Sequence, residues 1–166
     1  MPKFSLIATP IYQLTKKTTK FEWTQDCQQA FEKIKEAITD TNNLAPYDPR
    51  LQTKVTVDAA KGCGTSVTLW QKQKDQTWRA VTHHSRTFSK PEKNYSQIEA
   101  ESLGVLFGIT RNRLYLYGLP HFEVETDHKP LVTLYSETRK NCPPRIERHK
   151  LNLQGYNFKL TWRPGT

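Results

Sequence analysis

Cysteine is scarce in this chain, and what there is excludes more than it suggests. Cys27, Cys63 and Cys142 are odd in number and far apart, with no Cys-x-x-Cys pair among them. A disulfide framework is therefore excluded. The five histidines do not fall at zinc-ligand spacing with these cysteines, which removes a structural zinc site as well. All three cysteines read as ordinary reduced residues. No apolar run approaches the ~20 residues that a bilayer span requires. Pro2, Lys3 and Ser5 interrupt the N-terminus too early for a signal peptide. Internal repeats and low-complexity tracts are also missing. These absences point to an intracellular protein with no membrane partner.

Acidic residues become scarce toward the end. From Thr138 to Thr166, Glu147 is the one acid, against Arg139, Lys140, Arg145, Arg148, Lys150, Lys159 and Arg163. Over the whole chain 25 Lys and Arg face 16 Asp and Glu, a net charge of +9. An excess of this size suits a polyanionic partner, although a basic surface that is merely solvated has the same composition. At 166 residues with 36% hydrophobic and 25% charged side chains, one compact domain with some extra chain is expected.

The chain reads as two parts, 1–50 and 51–166. In the first, Phe4-Ser5-Leu6-Ile7-Ala8 opens a helical stretch and Lys16, Lys17 and Lys20 form a basic patch. Thr24 is placed to cap a second helix whose apolar stripe is Ala30, Phe31, Ile34, Ala37 and Ile38. Asn42, Asn43, Pro46 and Pro49 then break the pattern. In the second part, 54–58, 65–70 and 78–85 are β-type runs with short connections, which implies an antiparallel meander. A long helix is expected over 95–115, with Ser96 and Glu99 matching a capping box. A fourth strand over 122–127, reached through that helix, makes a parallel crossover and hence a mixed sheet. Short helices over 131–136 and after Pro143-Pro144, and a last strand over 157–162, complete the series. The four tryptophans, Trp23, Trp70, Trp78 and Trp162, read as packing residues rather than base-stacking platforms.

Two of the β runs end alike, Val55-Thr56-Val57-Asp58 and Val124-Glu125-Thr126-Asp127. If these strands are neighbours, Asp58 and Asp127 converge at one sheet edge, and a glutamate of the long helix completes a cage of oxygens. Such a cage suits hard divalent cations, Mg²⁺ or Mn²⁺, which also offset the repulsion of the carboxylates. Helical geometry leaves Glu99 and Glu101 open as the third member. Glu99 falls among Leu103 and Leu106, while Glu101 shares a stripe with Gly104 and Gly108, where backbone can approach the sheet. An integrase-like arrangement would want a glutamate on a late helix, and only Glu137 and Glu147 follow Asp127. Strand Asp, helix Glu, strand Asp is instead the order of a ribonuclease H.

The residues that fit this order sit in a longer series. It comprises Phe21-Glu22-Trp23-Thr24 with Cys27 and Ala30-Phe31; Val57-Asp58-Ala59-Ala60 with Gly62 and Gly64; and Ser85-Arg86. Asn94-Tyr95 with Glu99 and Glu101-Ser102-Leu103-Gly104 follows, then Tyr115-Leu116-Tyr117-Gly118. Thr126-Asp127-His128-Lys129-Pro130-Leu131, Pro144-Arg145-Ile146-Glu147-Arg148 and Trp162-Arg163-Pro164-Gly165 close it. In this the chain resembles the C-terminal part of the reverse transcriptase of gypsy-class long-terminal-repeat retrotransposons, the end of the polymerase portion joined to the ribonuclease H domain.

The resemblance implies an α/β fold, a ribonuclease H-like mixed five-stranded sheet with flanking helices, preceded by a short helical polymerase-derived segment. It selects Glu101 over Glu99 and implies that Asp58, Glu101 and Asp127 hold two Mg²⁺ or Mn²⁺ ions. The substrate implied is the RNA strand of an RNA/DNA hybrid, with Arg86, Tyr95 and His128 as nucleic-acid contacts. The remainder of the reverse transcriptase polyprotein is the implied partner, in a cytoplasmic particle or the nucleus. The family carries a fourth acid shortly after the Pro-Gly turn, and no aspartate follows Asp127 here. These 166 residues are therefore expected to be cut short before it, with weak or absent cleavage as they stand. No paired-aspartate palm motif is present, so polymerase activity is not expected. The rival reading is a non-catalytic nucleic-acid-binding or scaffolding module of a reverse transcriptase or a domesticated element.

Overall fold

The protein is described here by a computed structural model that covers residues 4–16, 19–39, 44–136 and 142–164. It forms two compact units, Met1–Asn43 and Leu44–Thr166. The first holds α1 (Phe4–Leu14) and α2 (Gln25–Thr39). Thr24 caps α2: its carbonyl accepts from Gln28 N–H at 3.1 Å and its Oγ1 from Cys27 N–H at 3.4 Å. Among the described residues of this unit, Ala8, Cys27 and Ala30 are buried. Phe31, expected on the buried stripe, instead lies 42% exposed and edge-on to Trp23. Cys27 and Ala30 take the inward positions, and the larger ring is left at the margin. The Ile38 side chain lies outside the described residues.

The second unit is built on five strands: β1 (Thr53–Ala60), β2 (Gly64–Lys72), β3 (Trp78–Thr87), β4 (Phe122–Thr126) and β5 (Phe158–Trp162). Their order is β3-β2-β1-β4-β5, antiparallel from β3 to β1 and parallel from β1 through β4 to β5. The meander and the parallel crossover are thus as expected from connection length. Gly62, with φ of +75°, makes the tight turn between β1 and β2, where a side chain would strain the backbone. Gln71 is fully buried, and its amide binds the backbone of Asp48 and the Thr53 hydroxyl. That side chain ties the segment around Asp48 to the ends of β1 and β2.

Helices α3 (Gln97–Arg111), α4 (Arg113–Leu116), α5 (Lys129–Ser136) and α6 (Pro144–Asn152) complete the unit. Val55, Val57, Val67, Leu69, Val124 and Leu160 of the sheet share one core with Val105, Ile109, Leu131 and Ile146 of the helices and with Leu153 just past α6. The helix expected over 95–115 is interrupted. Asn112, fully buried, donates from Nδ2 to the Gly108 carbonyl and accepts at Oδ1 from the Thr82 hydroxyl. An amide that competes for backbone carbonyls ends α3 there. Trp70 and Trp78 are packing residues, the former donating to Thr56 Oγ1 at 2.9 Å and the latter lying under Lys54. Trp23 and Trp162 are nearly half exposed. Among the described residues no helix is long and apolar enough to cross a membrane.

Candidate metal centre

Register brings the two aspartates together. Thr56 of β1 is paired with Glu125 of β4 in a parallel ladder, so Asp58 and Asp127, each two residues further on, come out level on adjacent chains. β4 ends at Thr126, one residue short of Asp127. β1 does not end at Asp58, as its sequence suggested, but continues to Ala60 because Ala59 and Ala60 pair with Thr65 and Gly64. Alternation along β1 turns Val55, Val57 and Ala59 inward and leaves Asp58 exposed.

The third carboxylate comes from the start of α3, which lies close on the sheet because Gly104 has no side chain. A Cβ there would stand 2.7 Å from Val57 Cγ1 and 2.9 Å from Thr65 Oγ1. Glu101 is 1% exposed. One ligand oxygen from each of Asp58, Glu101 and Asp127 lies within 4.8 Å of the others. Gln97, one turn earlier, donates to Glu101 Oε1 at 2.8 Å and to the Ala59 carbonyl at 3.0 Å. Thr126 Oγ1 donates to Glu101 Oε2 at 3.4 Å. Trp162 Nε1 donates to the Asp127 carbonyl at 3.1 Å. Asp58, Asp127, Ser66, Thr68 and Arg163 border an open cleft of about 360 Å³.

Burial, then the charge of Asp127 and of Asp58, push the Glu101 carboxyl up to about 7, against the pull of the Gln97 and Thr126 hydrogen bonds. A bound cation would offset the repulsion among the three carboxylates. All three donors are hard oxygens, so the residues fit Mg²⁺ or Mn²⁺ and do not fit a soft metal. At a free concentration a hundred times its Kd, Mn²⁺ is expected to stabilise the protein by about 2.7 kcal/mol. Thermal unfolding with and without Mn²⁺ measures this, and Asp127→Asn should lose most of it; an equal gain in both proteins would place the ion elsewhere.

Of the other sequence candidates, His128 is adjacent to the cluster. Its N–H donates to Thr126 Oγ1 at 3.2 Å, and its Nδ1 is buried with no hydrogen-bond partner among the described residues. Arg86 is not part of the cluster. It makes a two-pronged ion pair with Glu92 at 2.8 and 2.9 Å and lies near the Phe88 and Phe107 rings; that pairing pulls the Glu92 carboxyl down to about 2. Tyr95 lies with its ring 3.9 Å from the Arg145 guanidinium. Glu99 closes the capping box with Ser96 and pairs with Arg145, which leaves Glu101 alone for the cluster. Gln97, Thr126 and Trp162 were missed from sequence. Gln97 stands one helical turn before Glu101, a spacing that would have identified it.

Residues 48–156 match the family described as the RNase H-like domain found in reverse transcriptase. Over 93% of its length the chain is 35% identical to the retrovirus-related Pol polyprotein from transposon 412 of Drosophila melanogaster. Over 100% of its length it is 29% identical to the transposon Tf2-3 polyprotein of Schizosaccharomyces pombe. It spans 12% of the length of each of these relatives. Its fold is similar to that of the foamy viral protease-reverse transcriptase solved in complex with an RNA/DNA hybrid. There the TM-score is 0.59 at 18% identity, over 100% of this chain and 23% of that one. A mixed five-stranded sheet with flanking helices, an acid trio at one end of it and a match over most of the sequence agree: the chain belongs to the RNase H-like domain family of reverse transcriptases, with retrotransposon Pol polyproteins as its relatives.

Proposed function

We propose that this chain is the ribonuclease H portion of a retrotransposon Pol polyprotein and hydrolyses the RNA strand of RNA/DNA hybrids with two divalent ions, Mg²⁺ or Mn²⁺. The observation that carries the reading is the approach of Asp58, Glu101 and Asp127 to within 4.8 Å. Asp58 would contribute to both ions, and Glu101 and Asp127 to one of them. When bound, such ions activate water and neutralise charge on the leaving oxygen. Gln97 and Thr126 orient Glu101 toward the aspartates. His128, beside Asp127, is the side chain best placed to meet the hybrid. Arg86 and Tyr95 would meet it only through edges not taken up by Glu92 and Arg145. The net charge of +9 supports backbone contacts to a polyanion, whose A-like minor groove is read by shape and 2′-hydroxyls. Residues 1–50 are proposed to be the end of the polymerase portion.

Cleavage of an end-labelled RNA/DNA hybrid in Mg²⁺ and in Mn²⁺ tests this. Residues 1–166 are expected to cleave weakly, and Asp58→Asn is expected to abolish that cleavage. Hybrid binding by residues 1–166 without cleavage in either metal would overturn the nuclease reading in favour of a binding module.

A further inference from the structure

Helix α6 grips α3 on both sides of Glu101. Arg145 and His149 are one turn apart on α6 and so face the same way. Arg145 Nη1 donates to Glu99 Oε1 at 2.5 Å, and its guanidinium stacks on Tyr95. The other Glu99 oxygen accepts from Ser96 N–H at 3.0 Å and Ser96 Oγ at 2.8 Å. His149 Nδ1 lies 2.9 Å from Ser102 Oγ, which is 3.0 Å from the Tyr135 hydroxyl. Ser102 is fully buried and His149 8% exposed. Residues 99 and 102 are thus both tied to α6, with Glu101 between them, while Gln97 ties the start of α3 to β1.

We propose that Arg145 and His149 are positioning residues for Glu101, fixing the rotation and height of α3 so that the carboxylate meets Asp58 and Asp127. The proposal rests on the metal-site reading above. Magnitudes favour position over stability as what the Arg145–Glu99 contact supplies. The Arg145 side chain is 37% exposed and its partner Glu99 19%, and pairs of that kind stabilise a fold little. A carboxylate cluster, in contrast, binds its ion more weakly when a ligand is misplaced by even a fraction of an ångström.

Direct Mn²⁺ titration of the whole chain by electron paramagnetic resonance reads the effect without reference to cleavage. Arg145→Gln is expected to weaken Mn²⁺ binding about tenfold, in the range for residues that orient metal ligands, and Arg145→Lys to recover part of it. Tyr47→Phe, which loses a hydrogen bond to the Tyr115 carbonyl, serves as a destabilised control and should bind Mn²⁺ as the wild type does. A folded Arg145→Gln protein with wild-type affinity would overturn the proposal, as would equal weakening in Tyr47→Phe. If Arg145→Gln does not fold, Tyr95→Leu, which removes the aromatic ring beneath the guanidinium and keeps an apolar side chain against Phe88 and Leu103, is read by the same criterion. Failure of the underlying metal site has a different appearance: Asp58→Asn would then bind Mn²⁺ as well as the wild type.

Discussion

Replacing Glu101 with glutamine is expected to stabilise the metal-free protein by about 3 kcal/mol at pH 8 while removing its affinity for divalent ions. The Glu101 carboxyl titrates near 4.5 in the absence of the fold and is pushed up to about 7 within it. Its folded pKa is the higher one, so the folded state holds the proton more tightly. The associated stability is fully present below pH 4.5 and is lost as pH rises through 7. Each unit of separation is worth about 1.4 kcal/mol, which sets the scale of the loss. Glutamine does not ionise, and its carbonyl still accepts from Gln97. Urea denaturation at pH 5 and pH 8 measures the difference between the two proteins. Comparison at equal pH cancels the carboxylates whose pKa values fall on folding, Glu92 and Glu99 among them. The gain should be small at pH 5 and full at pH 8. Parallel pH profiles would mean that Glu101 is not held under repulsion. Stability given up at a site for the sake of its ligand is a common trade.

Gly104→Ala is expected to cost about 2 kcal/mol and to weaken cation binding, although alanine favours helix more than glycine does. The added Cβ would meet Val57 Cγ1 at 2.7 Å and Thr65 Oγ1 at 2.9 Å. Both side chains are β-branched and stiff at χ1, and Val57 is packed in the core, so neither yields readily. Relief requires α3 to lift from the sheet, within the usual cost of overpacking. The same movement carries Glu101, one turn before Gly104, away from Asp58. Denaturation and Mn²⁺ titration should therefore change together. Gly108→Ala, whose nearest contacts are 3.1 and 3.2 Å to the Val67 methyls, should cost less. A Gly104→Ala protein as stable as the wild type would show that α3 adjusts without loss.

The five strands and their order were legible in the sequence, although the helix expected over 95–115 is two. Connection length distinguishes a hairpin from a crossover, and so the meander of β1 to β3 and the parallel entry of β4 followed from spacing alone. The two aspartates could be read because each closes a short β-branched run, and Gly104 and Gly108 marked the close approach of helix to sheet. Local pattern could not choose between Glu99 and Glu101, since both lie in the first turns of one helix. Family resemblance selected Glu101, and the tertiary structure gives the physical reason: Glu99 is engaged by Ser96 and Arg145, while Glu101 is buried against Thr126. Contacts that no sequence period marks decided the rest. Arg86 met Glu92, Asn112 met Thr82 and ended α3, and Phe31 was left exposed by smaller residues that filled the inward positions. The grip of α6 on α3 belongs to the same class. Arg145 and Glu99 come together only after the sheet, α3 and α6 have packed, because the energy of such a contact depends on position in space and leaves no period in the chain.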